Sequence, residues 1–204
     1  SPLAFGGAVH VGLDTFFNDY KRPGVEVVQL GRKSIGAALA DAAITELDNM
    51  NDPKRNSDKL QDILSSYFLE YDLTPGLQFK IVEQNGKRMV EQSFSVPLGE
   101  VSVLTKNFGL VKVAVVWIGK IDIIAHYLNA LMIVDHKTTT VMGERFTDDK
   151  ERSSQMLGYT YAGRYLSHQV FGDMPVFGVG INALAMRSAG FEFKFFPIPI
   201  ADWK

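Results

Sequence analysis

Asp122, Asp135 and Lys137 stand in the spacing D-x12-D-x-K, and Gln155 and Tyr159 follow four residues apart. Two carboxylates held side by side repel each other, and a bound divalent cation is what most readily keeps both ionised. Hard oxygen ligands suit Mg2+ or Mn2+. A lysine beside them can hold or help activate a water, or stabilise charge on a phosphate. The chemistry written by these residue types is metal-assisted phosphodiester hydrolysis. D-x-K by itself is common, and its plain reading is a solvated surface hairpin. Gly119 ahead of the first Asp, apolar runs ahead of both acids and Thr138-Thr139 after the lysine favour the functional reading.

The elements that must position these groups can be read from patterning. The Val- and Ile-rich run 111–125 predicts a strand, Leu128-Asn129-Ala130 a turn, and LMIVDHK a second, antiparallel strand. Alternation along that strand puts Asp135 and Lys137 on one face and His136 on the other. Asp122 falls late in its own strand, within reach of Asp135 across the pair. Asp148 followed by Glu151 reads as a capping box for a helix running to about Ser167. On that helix Arg152, Gln155 and Tyr159 share a face.

The segments GKIDII, IVDHKTT and QMLGY, taken together, resemble the RecB-type branch of the PD-(D/E)XK nuclease superfamily. That branch includes recombination exonucleases, phage exonucleases and the nucleases of CRISPR adaptation. The resemblance implies an α/β fold: a restriction-endonuclease-like mixed β-sheet core flanked by helices, as a single domain over residues 1–204. It implies DNA as substrate and Mg2+ or Mn2+ as cofactor. It assigns Asp122, Asp135, Lys137, Gln155 and Tyr159 to catalysis. His10, Asp122, Asp135 and the backbone carbonyl of His136 become metal ligands, and Arg152, Tyr159 and Lys120 candidates for DNA contact. Several relatives hold an iron–sulfur cluster through four cysteines. This chain has no Cys, so it resembles the cluster-free members.

A lone His on an apolar stripe is ordinarily a core residue. His10 sits one turn before Leu13 on the stripe Leu13, Phe16, Phe17, Tyr20 of a helix expected over residues 8–20. The local pattern GAVHVGL matches the place where RecB-type nucleases carry a histidine ligand, which makes His10 the candidate third ligand. Glu91 precedes an F-x-V-x-L run, as in many relatives. It reads equally as a residue near or supporting the site and as a carboxylate at a sheet edge.

Elsewhere the chain reads simply. Val25–Leu30 is a strand candidate. Ser34 is expected to cap a helix to about Met50, with Ile35, Leu39, Ala43 and Leu47 on one face. A second helix over residues 57–71 carries the stripe Leu60, Ile63, Leu64, Tyr67, Phe68 and Tyr71, read as packing. Residues 34–73 thus form a helical insertion, which in relatives walls a channel for single-stranded DNA. Asn85-Gly86 turns a hairpin, residues 99–110 read as a loop, Phe146 as a plug against the body, and residues 172–199 as a closing β-hairpin.

Composition sets the outer bounds. With 21 basic and 23 acidic residues the chain is not a sequence-independent DNA coater. Basic strips within Lys106–Lys120 and Arg145–Arg164 would be enough beside a metal site. No apolar run of about 18 residues occurs, so no membrane helix is expected, nor is a signal peptide visible. A cytoplasmic setting, bacterial or in a phage-infected host, fits the missing cysteines. The leading expectation is a metal-dependent exonuclease acting on single-stranded ends in recombination or repair. A structure-specific endonuclease and a non-catalytic DNA-binding or assembly module are the alternatives. A recombinase or helicase partner would suit that setting, though no residue specifies one.

Overall fold

The computed structural model describes residues 1–143, 146, 148 and 153–199, with the side chain of Met50 outside that set. Three helices come first: α1 (Pro2–Asp19), α2 (Val27–Ile44) and α3 (Ser57–Leu73). Short strands β1 (Lys80–Ile81), β2 (Glu83–Gln84) and β3 (Lys87–Arg88) follow, then the long β4 (Val90–Thr105) and β5 (Gly109–Tyr127). β6 (Ala130–Thr139), α4 (Ser154–Val170), β7 (Val176–Arg187) and β8 (Gly190–Pro199) complete the order.

A six-stranded sheet runs in the order β1-β5-β6-β7-β8, with β4 beside β1 on the same edge of β5. Only β6 and β7 are parallel, and α4 is the crossover between them. Helices α1–α3 cover one face of the sheet and α4 the other, so there are two cores. This is the mixed α/β, restriction-endonuclease-like arrangement that the resemblance implied.

The helical layer differs in detail from the sequence reading. Val25–Leu30 is not a strand: α2 begins at Val27 and runs through Ser34, which is a buried mid-helix residue whose Oγ donates to the Leu30 carbonyl at 2.8 Å. Tertiary packing decides this. Leu30, Ser34, Ala38 and Ala42 recur every fourth residue and make a narrow seam against α1. Gly12 completes that seam, since a Cβ there would lie 2.7 Å from Leu64 Cδ1 and 3.2 Å from the Ala38 Cβ. The expected face of Ile35 and Leu39 is only partly buried, and Leu47 is buried from a short 3-10 turn beyond the helix end. Tyr67, Phe68 and Tyr71 are core, stacked with Phe16, Phe17 and Tyr20 of α1.

Residues 99–110 are not a loop. β4 and β5 continue together as a two-stranded ribbon to Thr105↔Gly109. Both expected tight turns are present. Asn85-Gly86 joins β2 to β3, and Leu128-Asn129 joins β5 to β6, with φ of +48° and +62° at the latter pair. Phe146 packs on Phe196. The described part of the last helix starts with Ser153 as its N-cap, accepting from the Met156 amide. Glu151 of the expected capping box, Arg145 and Arg152 lie outside the described residues.

Candidate active site

The site forms where the sheet divides. Rungs between β5 and β6 run from Tyr127↔Ala130 to Ile123↔Val134 and stop. Beyond that point β5 stays with β4, while β6 continues with β7 as far as Thr139↔Ala185. Both strands on the departing side change face here. Val90 and Ile123 belong to the core under α1–α3, whereas Phe94, Val96 and Ile121 belong to the core under α4. The switch occurs at Glu91, a non-glycine residue at φ +54°, and at Asp122 beside it. A left-handed conformation costs an L-residue about 1–2 kcal/mol, so the kink is held by its surroundings.

Separation of the strands strips His136 of ladder partners on one side, and side chains replace them. The His136 amide donates to Asp122 Oδ2 at 2.7 Å. Its carbonyl oxygen accepts from His10 Nε2 at 3.0 Å, and His10 Nδ1 lies 3.4 Å from Asp122 Oδ2. One peptide unit of β6 therefore holds a residue from α1 and one from β5. Asp135 is 1% exposed and turned to the opposite face from His136. Lys137 Nζ donates to Asp135 Oδ1 at 2.8 Å and lies 2.6 Å from Oδ2, which has no hydrogen-bond partner. Gln155 Nε2 donates to the same Oδ1 at 3.3 Å and to the Tyr159 hydroxyl at 3.2 Å. The Tyr159 hydroxyl in turn donates to the Lys120 carbonyl at 3.3 Å.

The two glycines nearest this constellation allow close packing beneath it. A Cβ on Gly119 would meet the Phe94 ring at 2.5 Å, and one on Gly158 the Trp117 ring at 2.6 Å. Gly158 thus seats the start of α4, with Gln155 and Tyr159, against β5.

Electrostatics follow from burial. Desolvation pushes Asp122 up to about 6, helped by the Asp135 charge and opposed by His10, the His136 amide and Lys137. Burial holds the His136 imidazole well below its ordinary value, so it is neutral. Burial, and then the Asp135 charge, raise Tyr159 to about 12.

Sequence reasoning missed two groups. Asp14 lies one helical turn beyond His10 and faces the same cleft, which it lines with Glu91, Lys120 and Asp122. Burial raises its carboxyl to about 9, with Glu91 and Asp122 adding to the shift; it hydrogen-bonds Glu91. The i, i+4 spacing from His10 was the available signal. Glu91, left open by its sequence, is at the cleft and ion-paired with Lys120.

The second group is a buried polar chain beneath β6. Asn182 Nδ2 donates to His136 Nδ1 and to the Tyr67 hydroxyl, each at 2.8 Å, and Phe17 stacks on the imidazole. A single Asn inside the apolar run of β7 was its only mark in the sequence. Of the other expected contacts, Lys106 and Lys112 sit out on the β4–β5 ribbon, and Lys112 is paired with Glu100.

The donor set suits a hard divalent cation: one imidazole, two carboxylates and a carbonyl. His10 Nε2 and the His136 carbonyl oxygen are 3.0 Å apart. Neighbouring ligands about 2.1 Å from an octahedral ion have about that separation. Among the described residues no three His, Asp or Glu groups already enclose an ion. Lys137 holds the Asp135 carboxylate, and Asp122 is turned to the His136 amide. The residues fit the cation after small side-chain shifts.

The family model described as the PD-(D/E)XK nuclease superfamily matches residues 1–184. The chain belongs to the PD-(D/E)XK nuclease superfamily. The matched span takes in every described site residue above, and members of this superfamily are nucleases that use divalent metals such as Mg2+ or Mn2+. No curated protein matches the chain. As a PD-(D/E)XK protein it carries no iron–sulfur cluster of the four-cysteine kind, having no cysteine. Among the described residues no helix is long and apolar enough to cross a membrane.

Proposed function

We propose that this PD-(D/E)XK protein is a RecB-type deoxyribonuclease that hydrolyses phosphodiester bonds at single-stranded DNA ends, in recombination or repair. One observation carries the reading: the His136 peptide unit gathers His10 from α1 and Asp122 from β5 beside the Asp135–Lys137 pair. His10 Nε2, Asp122, Asp135 and the His136 carbonyl would hold Mg2+ or Mn2+. The bound ion would offset phosphate charge and acidify an attacking water. For Nε2 to ligate, the imidazole must carry its proton on Nδ1, which faces Asp122 Oδ2 at 3.4 Å.

Lys137 holds its ammonium against Asp135, where it can hydrogen-bond the water or a phosphate oxygen as charge builds. Gln155 fixes which Asp135 oxygen faces the lysine. Tyr159, anchored on the Lys120 carbonyl, presents its ring toward a nucleotide at the margin of the cleft. The Glu91–Lys120 pair leaves that lysine within reach of a backbone phosphate. Arg152 keeps its proposed DNA role on sequence grounds alone.

End-labelled linear single strands, a matched duplex and a closed circular single strand, each with Mn2+, Mg2+ or EDTA, test this. The proposal expects metal-dependent loss of the linear strand with the circle spared. Cutting of the circle replaces it with an endonuclease. No cleavage of any substrate by folded protein replaces it with a DNA-binding or assembly module.

A further inference from the structure

We propose that the β4–β5 ribbon is a dimerisation arm whose occupant is the same arm of a second copy of this chain. From Gly99↔Val115 to Thr105↔Gly109 the ribbon stands clear of the body for seven rungs, about 23 Å. Its two faces differ in kind. Val101, Val103, Val111, Val113 and Val115 share one face, with Gly99, Thr105 and Gly109 as the remaining positions, so that face has no charge. The other face carries Glu100, Ser102 and Lys112, with Glu100 and Lys112 ion-paired. Strict alternation of this type belongs to a strand pair that buries one side.

The valine face continues the core face that holds Phe94, Val96 and Trp117. α4 covers Trp117 through Gly158, and the valines lie beyond it. Val101, Val103 and Val113 are 47%, 41% and 43% exposed. An isolated two-stranded ribbon is marginal in water, and this one exposes an aliphatic strip as well. Among the described residues its outer edges are also open: β5 from Gly109 to Asp122 and β4 along its length have no strand on the far side.

Surface area favours a partner of the same chain. A compact 22.7 kDa monomer exposes about 9,500 Å2. This chain exposes 11715 Å2, an excess of about 2,200 Å2. Covering half of that on each of two copies buries about 2,200 Å2 in total, within the range of permanent homodimers. A two-fold axis lays one uncharged valine face on the other, with no charge desolvated and both Glu100–Lys112 pairs left in solvent. Nucleic acid is a poor match, because the face has no cation for a phosphate.

Sedimentation equilibrium and light scattering test the arm directly. The wild type is expected at twice 22.7 kDa. Val101→Lys/Val113→Lys is expected at the monomer mass with an unchanged far-UV spectrum. Ser102→Lys, on the opposite face, should stay dimeric. Val113→Thr keeps the strand preference and should raise the dimer dissociation constant about tenfold or more, so the test survives poor folding of the double variant. A monomeric wild type at tens of micromolar overturns the proposal. So does a double-lysine variant that remains dimeric. A monomeric wild type whose affinity for a labelled single strand falls in Val113→Thr overturns it in favour of nucleic acid.

Discussion

Asp14→Asn should stabilise the protein, and the gain should grow with pH. The carboxyl of Asp14 sits in the cleft wall, hydrogen-bonded to Glu91, and burial lifts it from 3.8 to about 9. At pH 7 the unfolded chain carries Asp14 ionised, while the folded chain carries it protonated, so folding takes up a proton. Stability of the wild type therefore falls as pH rises between about 4 and 9. Taking up that proton costs at most about 1.4 kcal/mol per pH unit above 3.8, or about 4 kcal/mol at pH 7. Partial exposure and the neighbouring Lys120 reduce this to about 2 kcal/mol. Asparagine keeps a donor for Glu91 and needs no proton. Urea unfolding at pH 5, 7 and 8.5 should show the variant gaining on the wild type by about 1 kcal/mol per pH unit. A difference that is flat with pH, or a variant less stable at pH 8.5, would refute the reasoning.

Three further outcomes are expected. Asn182→Ala strands the Tyr67 hydroxyl and His136 Nδ1 in a dry core and should cost about 2–3 kcal/mol in urea unfolding; a neutral result would mean the chain of hydrogen bonds holds nothing. Gly158→Ala drives a methyl to 2.6 Å from the Trp117 ring and should destabilise by about 1–3 kcal/mol. The helix carrying Gln155 and Tyr159 should shift with it, so cleavage should also fall; unchanged melting would count against the close seat. Asp122 is raised to about 6, so an ion binding there must displace a proton at lower pH. Calorimetry should find Mn2+ affinity falling about tenfold per unit below pH 6 and level above it, and affinity independent of pH would remove Asp122 from the ligand set.

What the sequence made legible was the part fixed by local periodicity. Alternation in LMIVDHK predicts that His136 faces away from Asp135 and Lys137, and the strand does so because Val134 and Met132 must enter the core beneath α1. The spacing of Gln155 and Tyr159 returns them to Asp135 for the same reason, a single turn of α4 packed on Trp117. Features set by long-range contact were hidden. Val25–Leu30 has strand composition yet is drawn into helix at its far end by the small-residue seam with α1. Lys106-Asn107-Phe108-Gly109 looks like the middle of a loop, and is the tip of a ribbon closed by the Thr105 hydroxyl, which accepts from the Phe108 amide and donates to the Gly109 carbonyl. The face switch at Glu91 and Asp122 has no periodic signature, because it depends on where β5 leaves β6.

The most direct test of the central claim is cleavage of a labelled linear single strand by wild type, Asp135→Asn and Lys137→Ala, with Mn2+ and with EDTA. The account predicts Mn2+-dependent cleavage by the wild type and a loss of about a hundredfold or more in each variant, with folding intact by circular dichroism. Cleavage that persists in EDTA, or that Lys137→Ala and Asp135→Asn leave unchanged, would contradict it.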